Sequence, residues 1–430
     1  MRGTASFHQS SRSFIMQQPS LPWYRDTVKT ARGLLIAQLV FLMFSPPLTN
    51  IAEGLLYLLV LLSPTLRQRV KAALKQPMVM GLCLFAAFLI IGMFYGNAPR
   101  AEAWSMLTGW RRLLMLPLGC AVFDDEKSKR RLLVTFIAAS VACAIVSFAL
   151  FFAHRPIYHY ELGITVRNHA TQGLLFSVAA FASAILLRDE FRRETSPRHV
   201  WRAALYVSVV LLLVNTIFIT SGRSGYLAMM VLLTVYLLTL PGLGSHALAP
   251  RRLVVVAVGV AIATAALFMS PVARERIDRG LHQADTYQNT NQLTSIGIRI
   301  VFLKNTLAVI REHPWFGVGT GGFRIAYQRQ VAGKQGWEAI GTTDPHNQFL
   351  KIWAEQGLLG LAAFLAFIAS AFWQRVDATY RTLGGGVMCA WCATSLFNSH
   401  FSTFSEGRFI FIWCGAMLAL PFFRRDKANG

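Results

Sequence analysis

The sequence predicts an all-α protein that crosses a membrane many times. Of its 430 residues, 54% are hydrophobic and only 14% are charged, and the mean hydropathy is +0.45. Apolar segments long enough to span a bilayer as helices recur from Leu34 to Phe423, with mostly short polar stretches between them. A single integrated helical bundle is therefore expected, and not a series of soluble domains.

The basic residues indicate how this bundle is oriented. A net charge of +22 would suggest a nucleic-acid partner in a soluble protein, but Lys and Arg here concentrate in alternate loops, such as 67–75, 127–131 and 188–202. Cytoplasmic loops of membrane proteins carry such an excess. We therefore expect no nucleic acid as partner, both termini in the cytoplasm and an even number of spans.

Twelve spans are expected, making a polytopic protein with one large outer loop. The first two flank a tight outer turn over Ser45–Asn50. The fourth carries Arg111 and Arg112, which are costly in lipid unless they face a polar cavity or snorkel. In order, the spans lie near 33–47, 50–64, 77–96, 104–122, 132–153, 171–187, 203–220, 225–240, 253–270, 349–373, 386–399 and 409–423.

These spans divide the chain into five parts. Residues 1–32 are polar and basic and have no apolar core followed by a cleavage site, so they predict a cytoplasmic tail and not a signal peptide. Residues 33–270 contain nine spans and residues 346–423 contain three. Between them, residues 271–345 form the large outer loop, and residues 424–430 form a second cytoplasmic tail.

The large outer loop is expected to be folded and functional. Ile298, Val301, Phe302 and Leu307 are spaced for one apolar face of a helix over Ile298–Arg311. Long loops in compact bundles are usually functional or disordered. Aromatic residues argue against disorder here, namely Trp315, Phe316, Phe323, Tyr327 and Trp337.

His346 is the first candidate catalytic residue, because it lies where the large outer loop meets a hydrophobic helix. Asp344 suits the N-cap and Pro345 the first helical position, which would place His346 in the first turn. The positive end of the helix dipole disfavours imidazolium there. An exposed neutral imidazole could act as a general base, although a capping or packing histidine is the alternative.

Arginines on the outer side form a second candidate set. Arg223 lies in the turn Thr220–Gly225, and Arg167 precedes Asn168 and His169 at the start of the sixth span. Short outer loops should contain few basic residues. Arginine at a helix end is suited to bidentate capture of phosphate or diphosphate, and contact with anionic lipid headgroups is the alternative.

Several other patterns exclude functions. All six cysteines fall in apolar spans, so no disulfide framework is implied. The glycines of Gly317–Gly322 spell a dinucleotide fingerprint without its βαβ context, and they more plausibly allow tight turns and close backbone approach to a ligand or the membrane surface. No outer carboxylates are paired as in metal-dependent sugar transferases, so neither a metal nor another cofactor is predicted.

Three motifs together resemble the O-antigen ligase/polymerase superfamily. They are Ser221–Gly225 in a tight turn, His313–Phe323, and His346–Leu350 followed by Glu355 and Gly357. The single large loop late in the chain resembles the family architecture as well. The resemblance implies a C-type glycosyltransferase-like fold and an active site at the periplasmic face of the bacterial inner membrane. It also implies a glycan donor linked to undecaprenyl diphosphate, and no metal.

The resemblance also implies roles for individual residues. At the matching motif positions, His346 takes the catalytic histidine role, and Arg223 and Arg299 take the roles of two catalytic arginines. Five further residues are predicted substrate contacts, of which Arg167 is added from its charge and position: Arg167, Asn168, His169, Asn347 and His313.

The expected reaction is transfer of O-antigen polysaccharide to lipid A–core. Membrane lipid is a further expected partner. Length and the lack of an extra C-terminal periplasmic domain favour this reaction over protein O-oligosaccharyl transfer, and O-antigen polymerisation is the other alternative within the superfamily. A transporter of polysaccharide lipids is a further alternative. Internal repeats and broken helices in matching halves, which transporters usually show, are not evident in the sequence.

Overall fold

A computed structural model describes residues 22–157, 161–192, 198–242, 249–275, 278 and 295–422, and contains no strand within these ranges. The first eleven helices are α1 (Pro22–Phe44), α2 (Pro46–Leu62), α3 (Pro64–Ala73), α4 (Pro77–Tyr95), α5 (Arg100–Gly109), α6 (Met115–Val122), α7 (Glu126–Phe152), α8 (His169–Phe191), α9 (His199–Phe218), α10 (Arg223–Leu238) and α11 (Pro250–Met269). They are followed by α12 (Ser295–Glu312), α13 (Phe323–Val331), α14 (Gln348–Phe372), α15 (Ala378–Thr394) and α16 (Phe404–Met417).

The described helices support a multi-pass membrane protein. Seven of them are long and apolar enough to cross a membrane, namely α1, α4, α7, α8, α9, α11 and α14. Helices α2 and α3, bent by 100° relative to each other, add an eighth span if they are counted as one. The count of twelve spans is not confirmed within the described residues.

Two regions explain why fewer long helices are found than expected. The expected span near 104–122 consists of α5 and α6 separated by a 3-10 turn over Trp110–Leu114. The expected spans near 386–399 and 409–423 correspond to α15 and α16, which are only 17 and 14 residues long. One expected span is thus broken by a 3-10 turn and two are short helices, as is α10, which has 16 residues and corresponds to the expected span near 225–240.

The charged side chains near these breaks have protein partners. Arg111 donates from Nε to Glu53 Oε1 at 2.9 Å, and Arg408 donates from Nε to Glu53 Oε2 at 2.6 Å. Arg112 donates to the carbonyls of Gly109 and Thr403. Arg112 is buried, whereas the Arg111 side chain is 43% exposed; for both, these partners offset part of the cost of removing the charge from water.

The expected outer turn over Ser45–Asn50 was wrong. Ser45 alone separates α1 from α2, because its hydroxyl accepts a hydrogen bond from the Leu48 backbone N–H and caps α2. Pro46 then occupies the first helical position, which needs no N–H donor. The remaining residues of the expected turn form the first turns of α2.

Helix α8 forms the centre of the bundle and packs against α7, α9 and α10. A close approach at its N-terminal end depends on two glycines. A Cβ placed on Gly173 would lie 2.9 Å from the Cα of Gly225. Only glycine at both positions allows α8 and α10 to begin side by side.

Helix α14 is broken at Gly357, and the glycine-rich segment fills the break. Gly357 adopts φ 69° and ψ −176°, outside helical geometry. The Val318 and Gly319 N–H groups donate to the carbonyls of Ala354 and Glu355 at 2.9 and 2.8 Å, and the Leu358 N–H donates to Pro314. The glycines therefore permit close approach to α14, and their approach to a ligand or the membrane surface stays a prediction.

Candidate active site

The candidate site lies where three helices begin, α8, α10 and α14. Gly222 packs on the start of α8, since a Cβ on it would lie 2.7 Å from the carbonyl oxygen of His169. The loop 395–403 joins α10 to α14, because Asn398 donates to Ser224 Oγ at 2.9 Å and the Gln348 N–H donates to Ser395 at 2.9 Å. Helix N-termini present free N–H groups and positive potential, which favour anions.

His346 lies just before α14 and not in its first turn. The N-cap is Asn347, whose Oδ1 accepts hydrogen bonds from the N–H groups of Phe349 and Leu350, both at 3.0 Å. The expectation that Asp344 caps this helix was wrong. Asp344 Oδ1 instead accepts from the His346 N–H at 2.8 Å, which closes a turn where His346 adopts φ 55°. This left-handed conformation is uncommon for residues other than glycine.

Side chains from three elements surround the His346 imidazole. Phe302 of α12 stacks on it with ring centroids 6.0 Å apart, and the Asn398 side chain hydrogen-bonds to it. Burial lowers the pKa of His346; Asp344 and Asn398 oppose this shift, and the charges of Arg299 and Lys351 reinforce it. The imidazole is half-buried, not exposed as expected, and burial rather than the helix dipole is the main reason that it stays neutral.

Arg299 and Arg223 belong to different parts of the chain. Arg299 lies on α12, the helix predicted within the large outer loop, and its charge acts on His346. That helix prediction is confirmed, since Val301 and Phe302 are buried where α12 packs on α14. Arg223 is the first residue of α10, and its neighbour Ser224 connects to His346 through Asn398.

Arg167, Asn168 and His169 stand together at the start of α8. Arg167 adopts φ 26°, and it donates to Ser405 Oγ at 3.0 Å. Asn168 caps α8 through a hydrogen bond from the Thr171 N–H at 2.9 Å. The His169 Nδ1 lies 2.8 Å from a carboxylate oxygen of Glu161. These contacts give Asn168 and His169 structural partners, and their binding of substrate stays a prediction.

Asn347 and His313 have different surroundings. Asn347 uses its whole amide in the protein, since it caps α14 and donates to the Leu396 carbonyl at 3.0 Å. His313 is exposed at the start of the glycine-rich segment, where its carbonyl accepts from the Gly317 N–H at 3.1 Å. Contact with substrate remains a prediction for both residues.

His400 differs from His346. It lies in the loop 395–403, which also carries Asn398. It is 4% exposed, and within the described part of the chain neither ring nitrogen has a hydrogen-bond partner. Burial lowers its pKa, against the opposing charges of Glu406 and Asp344. A buried ring of this kind is poorly placed to meet a substrate, which distinguishes it from His346.

Sequence reasoning missed Lys351, Asn398 and the role of Phe302. Two signals were available. Lys351 is a charged residue at the start of an expected span, and intramembrane charges commonly mark functional sites. Asn398 begins the polar run Asn398–His400 at the end of another expected span. Phe302 was predicted only as part of an apolar helix face.

The arrangement can hold an anion and accept a proton next to it. Arg299 and Lys351 supply positive charge at the neutral imidazole, and three helix N-termini begin close by. Among the described residues, no group of three His, Cys, Asp or Glu side chains is arranged to bind a metal ion. Independence from metal stays a prediction.

Comparison with known proteins gives a family match over part of the chain. Residues 207–365 match the family model of the O-antigen ligases. The match supports membership of this chain in the O-antigen ligase superfamily, as the motifs predicted.

A curated relative is similar over a large part of the chain. An uncharacterized protein of Haemophilus influenzae is 24% identical over 264 residues. The alignment covers 60% of this chain and 63% of the relative, so the chain spans less than two thirds of that protein's length.

Proposed function

We propose that this protein transfers O-antigen polysaccharide from undecaprenyl diphosphate to lipid A–core. The observation that carries the proposal is the half-buried His346 imidazole, whose neutral form the pKa shift favours, beside the cation Arg299. A base next to a site for an anion is what glycan transfer from a lipid diphosphate requires.

In the proposed reaction, a sugar hydroxyl of lipid A–core attacks the anomeric carbon of the donor glycan. His346 accepts the hydroxyl proton as the new C–O bond forms. The bond from the anomeric carbon to the diphosphate oxygen breaks on the opposite face, so the anomeric configuration inverts and undecaprenyl diphosphate leaves. General-base catalysis of this kind contributes about 10²–10⁴-fold.

Arg223 and Arg299 are proposed to bind the diphosphate, with Arg167 assisting. The guanidinium group is planar and can donate two parallel hydrogen bonds to phosphate oxygens. Donors that bind the leaving diphosphate more tightly as its charge develops lower the barrier by several kcal/mol. The same positive charges favour the neutral form of His346.

The proposal includes the topology inferred from the sequence. Twelve spans, cytoplasmic termini and a periplasmic segment over 271–345 would place His346 on the periplasmic side of the inner membrane. A C-type glycosyltransferase-like fold is part of the same proposal. Part of the segment, including residues 279–294, lies outside the described residues.

O-antigen polymerisation and protein O-oligosaccharyl transfer are the nearest alternatives, since the superfamily match does not separate them from ligation. Purified protein in vesicles, given undecaprenyl-diphosphate glycan and lipid A–core, distinguishes the products. Glycan joined to lipid A–core is expected. A longer lipid-linked polymer would identify a polymerase, and glycan appearing across the bilayer without transfer would identify a transporter.

A further inference from the structure

We propose that Lys351 is a positioning residue that holds the Asp344 turn, and through it His346, by an ion pair with the Asp344 carboxylate. Glu355, one turn further along α14, completes this charge network. The inference rests on the proposed function, in which His346 is the base, and it assigns to Lys351 a role beyond the motifs that the superfamily resemblance contains.

Asp344 connects the network to the imidazole. Its Oδ1 accepts hydrogen bonds from the His346 N–H at 2.8 Å and from Ser399 Oγ at 2.7 Å. The first bond sets the backbone turn from which the imidazole projects. The second ties this turn to the loop that carries Asn398, whose side chain hydrogen-bonds to the imidazole. Moving Asp344 would therefore disturb His346 from both sides.

Lys351 lies one turn into α14 and is 8% exposed. Its Nζ is 3.9 Å from Asp344 Oδ2, and its charge also acts on Glu355, four residues further along the same helix. A buried ammonium requires anionic partners to offset its desolvation. Lys351 meets this requirement with the Asp344 carboxylate.

Glu355 anchors the network to the break in α14. It is 3% exposed, and its carboxylate faces the N–H groups of Gly321 and Phe323 from the inserted glycine-rich segment. Its backbone carbonyl accepts from the Gly319 N–H at 2.8 Å. Glu355 thus contacts the inserted segment and lies on the same helix as Lys351, which pairs with the His346 turn through Asp344.

The network also has a defined effect on protonation of His346. Charged and polar groups face the imidazole from each element packed on it: Asp344 from its own turn, Lys351 from α14, Arg299 from α12 and Asn398 from the loop 395–403. Removing the Lys351 charge removes a group that disfavours imidazolium. It also leaves Asp344 less neutralised, which favours imidazolium. Both effects raise the pH at which the base becomes protonated.

The test compares Lys351→Met, which keeps length without charge, with Lys351→Arg and with the exposed control Lys304→Met. We measure kcat, KM and their pH dependence in the vesicle transfer assay. Lys351→Met should lower kcat on the order of 10–10²-fold, as expected for a misplaced base. It should change donor KM little and shift the acidic limb to higher pH. Lys351→Arg should restore the wild-type limb.

A second measurement does not depend on transfer activity. Acylation of His346 by diethyl pyrocarbonate, followed over pH by mass spectrometry of its peptide, reports the protonation of the imidazole. Lys351→Met should shift this profile to higher pH. If Lys351→Met does not fold, the charge-matched double variant Lys351→Met/Glu355→Gln replaces it and should show the same shift.

Profiles identical to Lys304→Met in both measurements would contradict the positioning role. An inactive wild-type protein with the expected acylation shift would contradict the proposed function and leave the network supported. Active wild-type protein without any acylation shift in the variants would support the proposed function and contradict the network.

Discussion

The Phe302 ring stacks on the His346 imidazole, with centroids 6.0 Å apart and planes 13° apart. Phe302 is 6% exposed on α12, and His346 precedes α14. The contact therefore joins two residues that are 44 positions apart in the sequence. The stack contributes to the burial that lowers the pKa of His346. A helix of the expected outer loop therefore forms one wall of the site.

This contact predicts the pH dependence of transfer. Because the pKa of His346 is lowered from its ordinary 6.5, the base stays neutral into mildly acidic solution, and the acidic limb of kcat/KM, which reports the free enzyme, should lie below that value. Phe302→Leu reduces burial of the imidazole and should move the limb upward. Initial rates over about pH 5–8, with the exposed Phe268→Leu as control, measure this. A wild-type limb clearly above 6.5 would contradict a lowered pKa.

Arg299 and Arg223 should require their guanidinium groups and not only their charge. Arg299→Lys and Arg223→Lys are each expected to lose transfer, and alanine should lose about 10²–10³-fold, the range for removing one donor to a developing anion. Arg324 is the matched control, because it is exposed and pairs with Glu102. The measurement compares the transfer rates of Arg299→Lys, Arg223→Lys and the control Arg324→Lys. Full activity of Arg223→Lys and Arg223→Ala would return Arg223 to contact with lipid headgroups.

Gly357 should tolerate no side chain. Its φ of 69° and ψ of −176° disfavour any L residue, and a Cβ would lie 2.0 Å from the Trp315 carbonyl oxygen. Gly357→Ala should therefore destabilise the protein by more than about 1 kcal/mol. Gly333→Ala separates conformation from crowding, because Gly333 has φ 80° but nothing within 4 Å of a Cβ. In thermal unfolding in detergent, the melting temperature of Gly357→Ala should lie well below that of Gly333→Ala. Equal melting temperatures would contradict the packing of the glycine-rich segment into the break of α14.

Transfer should persist in EDTA. The proposed account stabilises the leaving diphosphate with arginine side chains, so purified enzyme in chelator should keep its rate. Loss of activity that Mg²⁺ or Mn²⁺ specifically restores would show that a metal ion shares this role.

The sequence was sufficient for features that depend on local periodicity and insufficient for those that depend on tertiary contacts. Apolar spacing from Ile298 to Leu307 predicted α12, since a helix face is encoded over neighbouring turns. The start of α14 was misplaced because Asp344 and Asn347 are both good caps, and choosing between them depends on distant partners. Ser399 engages Asp344, and the Leu396 carbonyl engages Asn347.

The site itself was only partly predictable for the same reason. His346 and the arginines could be named from motifs. The pairing of His346 with Phe302 and Asn398 joins residues from separate elements, and no local pattern encodes it. Gly357 interrupts α14 because the segment around Trp315 supplies replacement hydrogen bonds, which a sequence window around Gly357 does not contain.

The most direct test of the account is the transfer rate of His346→Ala, measured beside donor binding in the same vesicles. The variant should express and bind undecaprenyl-diphosphate glycan about as well as wild type, because the turn at this position is held by the backbone N–H and Asp344, which alanine retains. Its transfer rate should fall by about 10²–10⁴-fold, the range for a lost general base. Wild-type turnover would contradict the assignment, and joint loss of donor binding and turnover would show that His346 binds the diphosphate instead.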